Sequence, residues 1–142
     1  MTAPAGVPRK WEELALGQRA EVALCVGEDD MRAFAELSGD RSTIHIDEDF
    51  ARGAGFAGRV VYGGLIVGAL SQLVGMRLPG PIGLATGWRI DFHSPLYIGE
   101  QAMMAAELTN LSESTRLVKL KYSVMVGERL VAKGTAEAKI VI

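Results

Sequence analysis

The sequence predicts an α+β domain in which a curved antiparallel β-sheet wraps one long central helix. Three observations carry that expectation. Val60 to Leu78, VVYGGLIVGALSQLVGMRL, is the longest apolar run of the chain, fenced by Arg59 in front and Arg77 near its end. After Pro81 the chain falls into four stretches that alternate apolar and polar residues, separated by short turn signals. That is the pattern of antiparallel strands with one dry and one wet face. A helix apolar on all sides needs covering, and the dry face of a sheet needs something to cover.

Each element follows in order. Residues 1–10, MTAPAGVPRK, lack the apolar core of a signal peptide and are expected to be a frayed leader ahead of a single domain spanning 1–142. Gln18 to Val26 alternates, with Ala20, Val22, Leu24 and Val26 on one side, which marks a first strand. Glu28, Asp29 and Asp30 put negative charge where a helix N-terminus favours it. Met31, Phe34, Ala35 and Leu37 then recur at helical spacing up to a stop at Gly39.

Asp40 to Asp47, DRSTIHID, has no period and is expected as a loop, with one further helical turn over Glu48 to Arg52. The central helix is placed at Val60 to Met76, 17 residues or about 26 Å, ended by Pro79-Gly80-Pro81. With four glycines and no second apolar run it is too short and too broken for a membrane span. The strands that follow centre on Trp88–Phe92, Ala102–Leu108, Val118–Val126 and Leu130–Ile142. The small residues Ala132, Gly134, Ala136 and Ala138 are expected to let the last strand approach the helix.

Composition narrows the function. At 49% apolar and 23% charged, with net charge −2 and no basic run, the chain is not built for nucleic acid or a membrane surface. The single cysteine, Cys25, excludes an intrachain disulfide, suits a reducing cytoplasm, and is expected to be a small buried hydrophobe. Gly53-Ala54-Gly55-Phe56-Ala57-Gly58 matches G-x-G-x-x-G, but DEDFAR precedes it where a strand is needed. No Asp or Glu follows between Asp49 and Asp91, so the dinucleotide fingerprint is rejected. With two histidines and one cysteine, a zinc site of the usual His/Cys type is not expected.

His45 and His93 are the natural candidates for acid–base chemistry near neutral pH. Asp40 and His45 lie five apart in one polar loop, where a carboxylate and an imidazole can hold a water between them. The competing account is a turn cap and a satisfied surface histidine. His93 sits on the polar side of a strand beside Asp91 and is expected to be solvated. Gly63 and Gly64 open the apolar helix, where uncovered backbone N–H groups and the helix dipole favour developing negative charge; close packing is the alternative there.

Three separated segments resemble the MaoC-like, R-specific enoyl-CoA hydratases. These are Leu37-Ser38-Gly39-Asp40 with His45 and Asp47-Glu48-Asp49-Phe50-Ala51; Phe56-x-Gly58-Arg59-Val60-Val61-Tyr62-Gly63-Gly64-Leu65; and Phe92-x-x-Pro95-Leu96-x-x-Gly99-Glu100. The resemblance implies a hot-dog fold, a homodimer, and a thioester of coenzyme A or acyl carrier protein as substrate, with no cofactor. It implies Asp40 and His45 as the catalytic pair and the N–H of Gly63 or Gly64 as donor to the thioester oxygen. Leu65, Ile66 and Trp88 are expected along the acyl tail, Tyr62 in the pocket wall, and Arg59 near a phosphate. Ser42-Thr43 stands where the family commonly has Asn-Pro, and Tyr62 where it commonly has His. Those departures leave two other functions open: thioester hydrolysis or amine addition on the same fold, and acyl-thioester binding without chemistry.

Overall fold

Gly134, in the last strand, lies so close to the first edge of the sheet that an added Cβ would sit 1.9 Å from the carbonyl oxygen of Arg89. That approach helps shape the sheet seen in the computed structural model, which describes residues 6–142. The strands are β1 (Arg19–Leu24), β2 (Gly83–Phe92), β3 (Ala102–Ser112), β4 (Leu117–Val126) and β5 (Arg129–Ile140). All pair antiparallel in the order β1-β3-β4-β5-β2, leaving β1 and β2 as edges. Expectation and structure agree on every strand, and the expected sheet around a helix is present.

The central helix α4 runs over Gly63–Met76, three residues shorter at its start than the apolar run suggested. Val60 to Tyr62 are drawn into extended backbone instead. Val60 bridges Tyr97, and the Val61 N–H donates to the Leu96 carbonyl at 2.8 Å. Ile66, Ala69, Leu70, Leu73 and Val74 are buried on the helix against Val22, Met104, Leu120, Val124 and Ala136 of the sheet. Full burial of one such aliphatic chain contributes about 1.5–3 kcal/mol, so this stripe anchors the helix. The expectation of burial on most sides is corrected: Gly64, Gly68, Ser71, Gln72 and Met76 form an exposed stripe. Glycine counts as apolar in a sequence but brings no side chain to bury.

Three shorter helices frame the front of α4: α1 (Glu28–Ser38), α2 (Thr43–Ile46) and α3 (Glu48–Gly53). Asp30 accepts from the Gly27 N–H at 2.8 Å at the start of α1. Gly39 ends α1 at φ 75°, its N–H on the Ala35 carbonyl; only glycine takes that left-handed position freely. The expected loop over Asp40–Asp47 is corrected, since Thr43–Ile46 closes one helical turn that sequence period is too short to reveal.

Other expectations need adjusting. Cys25 is exposed, because the alternation that buries Val22 and Val26 points Cys25 to the wet face. The space at Gly134 is taken up by Tyr122, whose hydroxyl passes over it to donate to the Arg89 carbonyl at 2.7 Å. Of the expected leader, residues 1–5 lie outside the described residues, while Val7 and Pro8 are buried, Val7 against Gly80.

Candidate active site

Val60 joins the two halves of the site. Its N–H donates to the Ile44 carbonyl at 3.2 Å, and its own carbonyl lies 2.7 Å from His45 Nδ1. A carbonyl only accepts, so Nδ1 carries the proton and Nε2 is left with a lone pair. Both bonds clamp α2 to the extended stretch that runs directly into α4.

Tyr62, the residue before α4, holds the other side. Its ring stacks on His45 at 4.2 Å between centroids and meets the Phe34 ring at 4.8 Å. Its hydroxyl donates to the Asp40 carbonyl at 2.6 Å. Burial first, and the neighbouring Asp40 carboxylate second, raise the Tyr62 pKa above its ordinary value, so it remains a donor at neutral pH. Tyr62 is 1% exposed, borders a smaller cavity of about 160 Å³ together with His45 and Arg59, and braces the Asp40 turn, His45 and the helix start.

Asp40 Oδ1 accepts from the Ser42 N–H at 2.9 Å and from the Ser42 hydroxyl. The hydroxyl bond, then the N–H bond, and more weakly the charge of His45, lower the carboxyl pKa against the opposing effect of desolvation. Asp40 is therefore ionised throughout the neutral range, and among the described hydrogen bonds its Oδ2 accepts none. Ser42 thereby orients the carboxylate.

His45 and Gly63 border one cavity of about 420 Å³, with Ile66 at its side and Ile44, Phe56 and Phe92 among its apolar walls. The N–H groups of Gly63 and Gly64 stand at the start of α4, where no intrahelical partner is available, and Gly63 shares the cavity lining with His45. Both glycines also serve packing: a Cβ on Gly63 would fall 2.8 Å from the Phe92 ring, and one on Gly64 2.2 Å from the Phe34 ring. Asp40 lies beside the cavity rather than along its lining.

The outer candidates fare differently. Leu65 is half-buried against the core and Ile66 is 2% exposed, so only Ile66 of the two meets the cavity. Trp88 is 40% exposed on edge strand β2 and lies outside the cavity lining. Phe92, four residues later on the same strand face, lines the cavity. Arg59 pairs with Glu28 and, at 3.5 Å, with Glu48, which fastens α1 to α3. His93, expected to be merely solvated, is exposed but lines the same cavity as His45. Period-2 alternation assigns Phe92 and His93 to opposite faces; the bend at Ser94-Pro95 brings both to one. Among the described residues no group of three or more His, Cys, Asp or Glu is placed to hold a metal ion, and no helix is long and apolar enough to cross a membrane.

Comparison with known proteins decides the family. A model described as "MaoC like domain" matches residues 11–131. The chain belongs to the MaoC-like family. Among curated MaoC-like relatives, the 3-hydroxybutyryl-CoA dehydratase of Methylorubrum extorquens is 31% identical over 130 residues, 92% of this chain and 83% of the relative. The (R)-specific enoyl-CoA hydratase of Rhodospirillum rubrum is 30% identical over 92% of this chain and 90% of its own. In structure, the (R)-hydratase of A. caviae superposes with a TM-score of 0.85 at 30% identity, covering 89% of this chain and 97% of that one. An R-hydratase of Pseudomonas aeruginosa gives 0.82 at 27% identity over 91% and 83%. The MaoC-like fold, the hot-dog, is thus common to this chain and to solved hydratases.

Proposed function

We propose that this MaoC-like chain hydrates 2-enoyl thioesters with R specificity, or dehydrates 3-hydroxyacyl thioesters in reverse, with Asp40 and His45 activating one water. The chain is a hydro-lyase of the dehydratase type; relatives of that class match it at about 30% identity over most of its length. The observation that supports the residue assignment is the 2.7 Å contact between His45 Nδ1 and the Val60 carbonyl. With Nδ1–H committed to Val60, the neutral imidazole keeps its lone pair at Nε2, and His45 shares its cavity with the start of α4.

In this mechanism the water oxygen bonds to C3 as its proton passes to His45 Nε2, assisted by the Asp40 carboxylate. The electron pair of the double bond moves onto the thioester oxygen, which the N–H of Gly63 or Gly64 stabilises. Collapse of that enolate takes a proton at C2 from the pair. One well-aimed donor to such an oxyanion contributes about 3–4 kcal/mol, and positioned proton transfer about 10²–10⁴-fold. Substrates are thioesters of coenzyme A or acyl carrier protein, and the chemistry calls on no cofactor.

The test is absorbance loss of crotonyl-CoA with thiol release measured in parallel. Loss of the enoyl signal without thiol is the expected result; thiol release in step with it would mean hydrolysis, and neither signal would leave a binding module.

A homodimer belongs to the same proposal. Strand β2 offers an unpaired edge, and Trp88 and Phe92 project from its inner face at 40% and 54% exposure. Such an edge is a template for a second strand. Light scattering on the purified chain should give twice the 15.2 kDa of one copy; a monomeric mass at micromolar concentration refutes the pairing.

A further inference from the structure

We propose that His93 is a substrate-contacting residue that donates a hydrogen bond to the amide carbonyl of the pantetheine arm, the part that coenzyme A and acyl carrier protein share. The inference rests on the thioester reading above and adds to it the recognition of the carrier side of the substrate.

The chain has two histidines, 48 positions apart in sequence, and both line one cavity. They are the only titratable side chains in its lining, since no carboxylate, lysine or arginine is present there. His93 is presented by a rigid corner. Its N–H and that of Ser94 both donate to the Val131 carbonyl, at 2.8 and 3.2 Å, and the Ser94 hydroxyl donates to the Leu130 carbonyl at 2.7 Å. The serine hydroxyl is thereby spent, so His93 is the polar group this corner offers to a ligand.

Position selects which part of the ligand it meets. Phe92 covers Gly63, so His93 stands one residue from the group covering the thioester-oxygen site. His93 is exposed whereas Ile66 is buried, which puts the imidazole at the open rim and Ile66 deeper. A substrate whose tail lies along the apolar walls and whose thioester oxygen meets the start of α4 trails its arm across the rim. The first polar acceptor beyond the sulfur of that arm is an amide carbonyl, and a neutral imidazole always has one N–H to give.

The experiment compares three crotonyl thioesters on wild type, His93→Ala and His93→Gln: coenzyme A, N-acetylcysteamine, which keeps the amide, and ethanethiol, which lacks it. His93→Ala should raise KM about tenfold for the first two, the order carried by one hydrogen bond, with kcat changed less than threefold. KM for the ethanethiol ester should not change, and His93→Gln, still a donor, should restore most of the affinity. An unchanged KM with crotonyl-CoA, an equal penalty on all three esters, or a loss confined to kcat each overturns the assignment. Should wild type turn over none of the esters, the hydratase reading itself fails, which is a separate outcome.

Discussion

Replacing His45 by glutamine should lower kcat for hydration of a crotonyl thioester by about 10²–10⁴-fold, the range a positioned acid–base group commonly supplies. Glutamine fills similar space and can still donate to Val60, but it has no basic nitrogen for the water. Asp40→Asn should fall in the same range, and the two losses should not add, because both groups act on one water. A melting temperature close to wild type would show that the fold survives. Full activity in either variant would remove that residue from the mechanism. The pH profile carries a sign: Ser42 lowers the Asp40 pKa below 3.8, so its carboxylate is still ionised where an unrestrained aspartate begins to protonate. Activity lost on acidification within the near-neutral range then belongs to another group.

Gly134→Ala should be the most damaging single methyl in the molecule. The new Cβ would fall 1.9 Å from the Arg89 carbonyl oxygen and 2.8 Å from the Tyr122 hydroxyl. One of those atoms is backbone, so no rotamer change relieves the contact and β2 must peel away from β5. Overpacking costs about 1–3 kcal/mol when side chains can yield and more when they cannot. A loss near the upper end lowers the melting temperature of a chain this size by about 10 °C. Thermal unfolding followed by circular dichroism measures it; a shift within the error of the scan would mean that the edge strand tolerates displacement.

How far the sequence could be followed depends on what each residue's chemistry leaves visible. Strands β3, β4 and β5 were legible because one face is dry and the other wet, so Leu120 and Lys121 announce the pleat by themselves. The end of α1 was legible because a left-handed residue calls for glycine. The start of α4 was not: Val60 and Val61 are apolar in either conformation, and what draws them out is a bridge to Tyr97, a residue far along the chain. Asp40 and His45 could be chosen from residue type and resemblance, yet nothing local told that Ser42 would hold the carboxylate or that Tyr62 would lie beneath the imidazole. The partners of Arg59 were hidden for a related cause. A charge is free or spent according to partners distant in sequence, and here Glu28 lies 31 positions away. His93 was weighed as a candidate but expected to be solvated, since strand alternation was extended one residue past the end of β2 at Phe92.

The short tether through Val60 has a mechanical corollary. Imidazole and helix start hang from the same few peptide units, joined by hydrogen bonds to the turn of α2 and to the Leu96–Tyr97 stretch, neither of which lies in a strand of the sheet. Their spacing is thereby inherited from local chain geometry and owes little to how tightly distant strands seat. Sequence drift across the sheet can erode or reinforce the molecule's resistance to heat while the reacting groups keep their distance, which frees stability to evolve apart from turnover.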